Sequence, residues 1–366
     1  MISEKEFLLV YPNIFFVKGY TQTLVLDLSK KSWIYLDNDY TDIVNSLKKS
    51  SIKEVADTID PSSRDEFSSF IMFLLEHDYA TYVDDLSLFP EIEETWISPY
   101  EITNSIIDFD AKFHDMQKIS NELYLLGCQY IELRFYSDIS LNKIEYILSC
   151  LKEKDFRNIH FIIKYDTSFS RDALSDIHKK FLNCSFTIYN SPINKFYESE
   201  LNNVLPSVGY VNYISQPISS CMSCGIINST TLLHPKDVGS FMENKLFNSC
   251  INRKISIDVE GNIKNCPSMK QIYGNIDSDS LVKSSRNALL QEKWMINKDL
   301  IKVCSDCEYR YVCSDCRAYI EHPEDEYSKP LKCGYDPYTG EWTEWSLNPL
   351  KQNAIKFYGM LGLVNK

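Results

Sequence analysis

The amino-acid sequence predicts an α/β protein in three parts, and three observations carry that prediction. Strand-length apolar runs alternate with helical periods between residues 102 and 214, an alternating leucine run and three short helical patterns precede them, and nine of the twelve cysteines fall after residue 220.

Residues 1–88 read as a winged-helix-like unit. Leu24, Leu26 and Leu28 alternate on one face, and 33–36 follow the polar turn Ser29-Lys30-Lys31-Ser32, as in a β-hairpin. Ile43, Val44 and Leu47 mark a first helix, and Ile52, Val55 and Ile59 a second. Phe67, Phe70, Ile71, Leu74 and Leu75 mark a third, opened by a capping box from Ser63 to Glu66. A strand at 79–83 is expected to close the wing. The unit holds eight Lys and Arg against fifteen Asp and Glu, a net −7 that would repel a phosphate backbone. An extended peptide added to a free sheet edge suits it better, and a purely structural unit is the alternative.

Residues 89–100 read as a linker, since Pro90 and Pro99 bracket an acidic stretch with no sustained period. In the core, 101–220, strand patterns at 102–109, 130–136, 159–165, 186–189 and 210–214 alternate with helical ones at 113–126, 141–151 and 174–181. Gly127 stands where the first helix should stop. Such repeats imply a parallel sheet, either a partial barrel or an open one.

Composition narrows the function. The 366 residues carry 38 basic and 51 acidic side chains, a net −13 that excludes nucleic acid and anionic membrane as main partners. No stretch approaches the ~20 apolar residues of a membrane span, and Glu4 and Glu6 stand where a signal peptide would be basic, so a cytoplasmic protein is expected. In that reducing compartment clustered cysteines point to metal or redox chemistry rather than disulfides.

Their spacing is informative. Cys304-Ser-Asp-Cys307 and, after five intervening residues, Cys313-Ser-Asp-Cys316 put paired thiolates on tight loops, and Cys250 and Cys266 flank a hairpin whose turn is Glu260-Gly261-Asn262. One zinc would be saturated by Cys304, Cys307, Cys313 and Cys316, leaving Cys250, Cys266 and Cys333 unexplained, whereas two iron–sulfur clusters would use the whole set. Cys128, Cys150 and Cys184 are isolated among the βα repeats and read as small buried apolar residues.

Cys250, Gly261, Cys266, Cys304, Cys307, Cys313, Cys316 and Cys333 together resemble the SPASM domain, the auxiliary-cluster module of peptide-modifying radical SAM enzymes. The runs CEYRYVCSDCRAY, GNIKNCPSM and KCGYDPYTGEW look most like the SPASM-domain peptide maturases of grasp-with-spasm systems. One departure is visible: Ser314 and Asp315 separate the last pair, where the general pattern has three residues.

That resemblance implies a degenerate radical-SAM-like core at 101–220, a cluster domain at 221–340 and a C-terminal tail at 341–366. Trp342, Trp345 and Tyr358 of the tail are expected to pack on the cluster domain. One [4Fe-4S] cluster would take Cys304, Cys307, Cys313 and Cys333, the other Cys250, Cys266 and Cys316. Cys224 is the candidate fourth ligand, with Cys221 in reserve and an open iron as the alternative. The loop after the first core strand, DAKFHD, lacks the CxxxCxxC that holds a catalytic cluster, and YSDIS follows the second strand where a glycine-rich motif should help bind S-adenosylmethionine. The usual radical chemistry and that cofactor are therefore not expected, and catalytic residues stay unassigned. His114, in the vacant loop, reads as solvated rather than as a ligand. The implied role is maturation of a ribosomally made precursor peptide, with the N-terminal unit binding its leader and an ATP-grasp ligase as partner. A zinc-stabilised peptide-binding adaptor and a radical enzyme with non-standard ligation are the alternatives.

Overall fold

The computed structural model describes residues 7–198, 209–232 and 237–364; Glu4 and Glu6 lie outside them. The N-terminal unit runs β1 (Phe7–Val10), β2 (Ile14–Lys18), β3 (Thr23–Asp27), β4 (Ser32–Leu36), α1 (Asn38–Leu47), α2 (Ile52–Thr58), α3 (Arg64–Glu76) and β5 (Ala80–Val83). The expected hairpin is β3–β4, paired from Thr23↔Leu36 to Asp27↔Ser32, and β2 extends it to three strands. β5 does not close a wing on it. Leu8 and Val10 of β1 bury in the core of the three helices, as Ala80 does, so β1 rather than the hairpin becomes the partner of β5.

The capping box lies one helix earlier than the sequence suggested. Ser51 Oγ accepts from the Glu54 N–H at 3.3 Å and Glu54 Oε2 accepts from the Ser51 N–H at 2.8 Å. Ser63 makes no cap bond, because α3 grows out of a 3-10 turn that starts at Pro61 and is capped by Asp60. Alternation along β3 serves two cores. Val25 buries among the helices, while Leu24 and Leu26, with Leu28 beyond the strand, pack against Ile227, Tyr309 and Tyr335 of the cysteine-rich part. The linker stays irregular, and Trp96 joins that second cluster.

The core is a mixed α/β unit around an eight-stranded, mostly parallel sheet. Its elements are β6 (Asn104–Phe109), α4 (Met116–Leu125), β7 (Tyr130–Phe135), α5 (Leu141–Leu151), β8 (Asn158–Lys164), α6 (Arg171–Lys180), β9 (Cys184–Tyr189), β10 (Lys195–Glu198) and β11 (Tyr210–Tyr213). Gly127, at φ 75°, ends the turn after α4 as anticipated. After α7 (Ser229–Leu232) and α8 (Val238–Leu246), the hairpin of β12 (Lys254–Ile257) and β13 (Ile263–Lys264) joins the same sheet, β12 lying parallel to β6. The order is β10-β11-β9-β8-β7-β6-β12-β13, antiparallel only at its two ends. Among the described residues its ladders do not close into a barrel.

The sheet has two unlike faces. Ile107, Phe109, Ile131, Leu133, Phe135, Ile159, Phe161, Phe186 and Ile255 form the apolar face under the helices, and the rings of Phe109, Phe135, Phe161 and Phe186 stack in series at 4.6, 6.5 and 5.3 Å. Alternate residues point the other way: Asp108, Glu132, Arg134, His160, Thr187, Tyr210 and Lys254. Parallel strands are usually apolar on both faces, so this polar face marks where the sheet meets something other than a core.

Candidate metal centres

Eight of the nine thiols beyond residue 220 line two cavities, four in each. Cys304, Cys307, Cys313 and Cys333 line one cavity together with Ile227, Leu232, Tyr309 and Trp342. Burial raises the Cys304 thiol well above the ordinary range, with Asp315, Cys333 and Cys313 adding to it. Burial, Cys304 and nearby carboxylate and thiol charge do the same to Cys307. At Cys313 burial outweighs the Lys298 ammonium and, helped by Cys333, pushes the thiol up to about 11. Cys224, Cys250, Cys266 and Cys316 line a second cavity of about 630 Å³. Burial and then Cys250 push Cys266 up to about 12, and burial with Cys250, Cys266 and Cys224 raises Cys316.

Local backbone explains the sorting. Cys333 is held by a bridge to Ile227, with the Ile227 N–H donating to Lys332 O and the Gly334 N–H to Ile227 O, both at 3.0 Å. Each CxxC loop has a left-handed, non-glycine residue, Val303 at φ 68° just ahead of the first, before Cys304, and Asp315 at φ 62° within the second, before Cys316. A β-branched residue there is a strained exception, and such strain concentrates at functional loops. Asp315 turns the chain between the sets, so Cys313 faces one and Cys316 the other. Its carboxylate accepts from Arg317 Nη2 at 2.8 Å and from Asn248 Nδ2, and its N–H donates to Cys313 Sγ at 3.5 Å. The quartet of Cys304, Cys307, Cys313 and Cys316 proposed for a single zinc is therefore not what the chain brings together.

Cys224 reaches the second set through Gly225. At φ 85° this glycine lies against Cys316, where a Cβ would sit 2.9 Å from the Sγ, so a side chain would collide with the sulfur. Arg134 Nη2 lies 3.9 Å from Cys224 Sγ, at the rim of the same cavity. Cys221 is not part of that lining, although its carbonyl accepts from Ser268 Oγ of the same cavity at 3.3 Å. Among the described residues no three His, Cys, Asp or Glu side chains close around one point as ligands of a single ion.

No protein-family model and no curated protein matches this chain. Solved structures do align with it. Streptococcus suis SuiB, bound to its precursor peptide SuiA, covers 89% of this chain and 99% of its own at 11% identity and a TM-score of 0.34. A likeness that distant fixes neither the fold nor the chemistry of this chain.

Opposite the second thiol set stands the polar face of the sheet. Arg134, nearly fully buried, pairs through Nε with Glu132 Oε1 at 2.5 Å. His160 lies between Glu132 Oε2, 3.3 Å from Nδ1, and Thr187 Oγ1, 2.9 Å from Nε2. Burial opposes the Glu132 charge, yet Arg134 and His160 hold its carboxyl well below the usual range. Tyr210 adds a hydroxyl 3.4 Å from His160 Nε2. Burial disfavours the Lys254 charge, and the anionic forms of Cys250, Cys266 and Cys224, with Glu132, raise its ammonium above the usual range. None of these residues was singled out from sequence. The available signal was the run of polar residues at every second position in strands otherwise fit for burial on both sides.

The loop after β6 holds its histidine inside rather than in solvent. His114 is buried, its Nε2–H donates to Asp108 O at 3.0 Å and Asp258 O at 3.1 Å, and its ring packs on Phe109. Two carbonyls on one nitrogen, with burial depressing its charge, make it a brace between β6 and the end of β12. Cys128, Cys150 and Cys184 are buried in the apolar core, as expected of isolated thiols. Trp342 packs beside Tyr309 and Tyr335, and Trp345 and Tyr358 beside Cys316. Among the described residues no helix is long and apolar enough to cross a membrane.

Proposed function

We propose that this chain is an iron–sulfur protein of peptide maturation. One [4Fe-4S] cluster would be held by Cys304, Cys307, Cys313 and Cys333, the other by Cys250, Cys266, Cys316 and Cys224. The observation that carries this is the division of eight thiols into two sets of four. Four cysteines on each cavity match the four thiolates that a [4Fe-4S] core takes, and two such sets would use eight of the thiols where one zinc would use four. When bound, such centres store and pass single electrons.

The chain's own residues supply the rest. The 630 Å³ cavity places Cys224 opposite Glu132, Arg134, His160 and Tyr210, and a peptide side chain entering it would meet a fixed ion pair, a hydroxyl and the edge of the second thiol set. This favours redox work on a bound peptide over a purely structural role for the thiols. β4 pairs only with β3 among the described strands, so its outer edge can take an extended leader as a further strand. An ATP-grasp ligase as partner follows from the sequence resemblance, as does the expectation that S-adenosylmethionine is not used.

Iron, sulfide and zinc analysis of protein purified without oxygen, with its absorption spectrum, tests this. About eight irons with matching sulfide and a broad brown band are expected. Near one zinc and no colour would leave a peptide-binding adaptor in its place.

A further inference from the structure

Lys298 is 1% exposed, and among the described residues its ammonium has no hydrogen-bond partner. It lines the cavity shared by Cys304, Cys307, Cys313 and Cys333, and its charge acts on Cys313, Asp315 and Cys250. The neighbouring Asp315 carboxylate is already taken by Arg317 and Asn248. A buried ammonium with no hydrogen-bond partner, near a carboxylate already engaged by other groups, is a costly arrangement that calls for negative charge in the space it faces.

We propose that Lys298 is the counter-cation of the centre held by Cys304, Cys307, Cys313 and Cys333, donating its N–H groups to sulfur there and setting the reduction potential. This rests on the two-cluster assignment above. Four thiolates around a [4Fe-4S] core give a net negative charge, and net charge and hydrogen bonds to sulfur are the protein's means of tuning the potential. One added electron makes the centre more negative, so a fixed positive charge favours the reduced state and raises the potential.

The test is a dye-mediated redox titration of the full chain, purified without oxygen, with dithionite as the one-electron donor and paramagnetic resonance as the readout beside iron and sulfide content. Lys298→Met should keep its iron, and one of two reduction steps should shift negative by a tenfold change in equilibrium, about 59 mV for one electron. The other step should shift by less, since Lys298 lines the first cavity and reaches the second set through its charge on Cys250. Full iron with both steps unmoved would overturn the assignment of Lys298. If Lys298→Met loses half its iron, Lys298→Arg decides: iron retained there shows that the charge is needed, and iron lost there as well shows that packing, not charge, was removed. A wild-type protein without iron would instead sink the two-cluster assignment, whatever the variants do.

Discussion

Cys307 and Cys266 separate the two thiol sets most cleanly. Cys307 lines the first cavity and Cys266 the second, whereas Cys313 and Cys316 flank the Asp315 turn that the two sets share. With one four-iron core per set, the wild type holds about eight irons, and Cys307→Ala or Cys266→Ala each about four. The double variant should hold almost none. Replacing one sulfur by hydrogen leaves a cavity near methyl size, at about 1 kcal/mol, too little to unfold the chain by itself. The first set shares its apolar cluster with Leu24, Leu26 and Leu28, so Cys307→Ala should also speed proteolysis around the N-terminal hairpin, and Cys266→Ala should not. Iron and sulfide assays, far-ultraviolet circular dichroism and limited proteolysis on oxygen-free protein read all three effects. If either single variant kept wild-type secondary structure yet lost all of its iron, or none, two independent centres could not be the arrangement.

Cys224→Ala should lower the iron content while Cys221→Ala leaves it unchanged; the reverse would move the fourth ligand to Cys221. Arg317→Met strips the buried Asp315 carboxylate of its cation and should destabilise the protein by about 3–5 kcal/mol, read from urea unfolding; a loss under about 1 kcal/mol would mean the pair is dispensable. Burial pushes Asp108 up to about 7 from 3.8, against the pull of Arg134 and Tyr136. A carboxyl whose folded pKa is raised contributes stability fully present below about pH 3.8 and lost as pH rises to about 7, roughly 4 kcal/mol in all. Asp108→Asn should therefore flatten that slope and be the more stable form at pH 8, and unfolding midpoints that fall equally in both proteins from pH 5 to 8 would count against it. With dithionite, the protein should not cleave S-adenosylmethionine to 5′-deoxyadenosine, and detection of that product would reinstate a radical enzyme.

The βα core was legible because its signals are local. Strands and helices fall within a few residues of their apolar periods, and α5 matches its pattern from Leu141 to Leu151. What sequence could not show are the partnerships between distant segments. Nothing local to residues 79–83 says that their partner is Phe7–Val10, and nothing in the hairpin around Gly261 says that it extends a sheet begun at Asn104. The misplaced capping box has a similar cause. Ser51-x-x-Glu54 and Ser63-x-x-Glu66 are equivalent on paper, and only Pro61, by starting the helix early, separates them. At the two thiol-lined cavities the cysteines were legible and their surroundings were not, since Lys298, Arg134 and Lys254 carry no motif and acquire meaning only from the burial imposed on them.

The polar face of the sheet and the second thiol set explain one another. On this face Arg134 is buried and Glu132 and His160 are half-buried, a costly placement for polar groups unless each is paired. Here each is paired, Arg134 with Glu132, and Glu132 with His160, and His160 with Thr187. Such a chain fixes the orientation of its members without closing the space above them, which stays open as far as Cys224. An apolar filling would hold the fold at least as well, so the network is better understood as a recognition surface than as a stabilising one. Replacing Glu132 and Arg134 together by Leu and Met tests the distinction: a peptide-handling surface predicts a fold as stable as the wild type and a cavity that no longer takes its substrate, whereas a stabilising network predicts unfolding before any loss of binding.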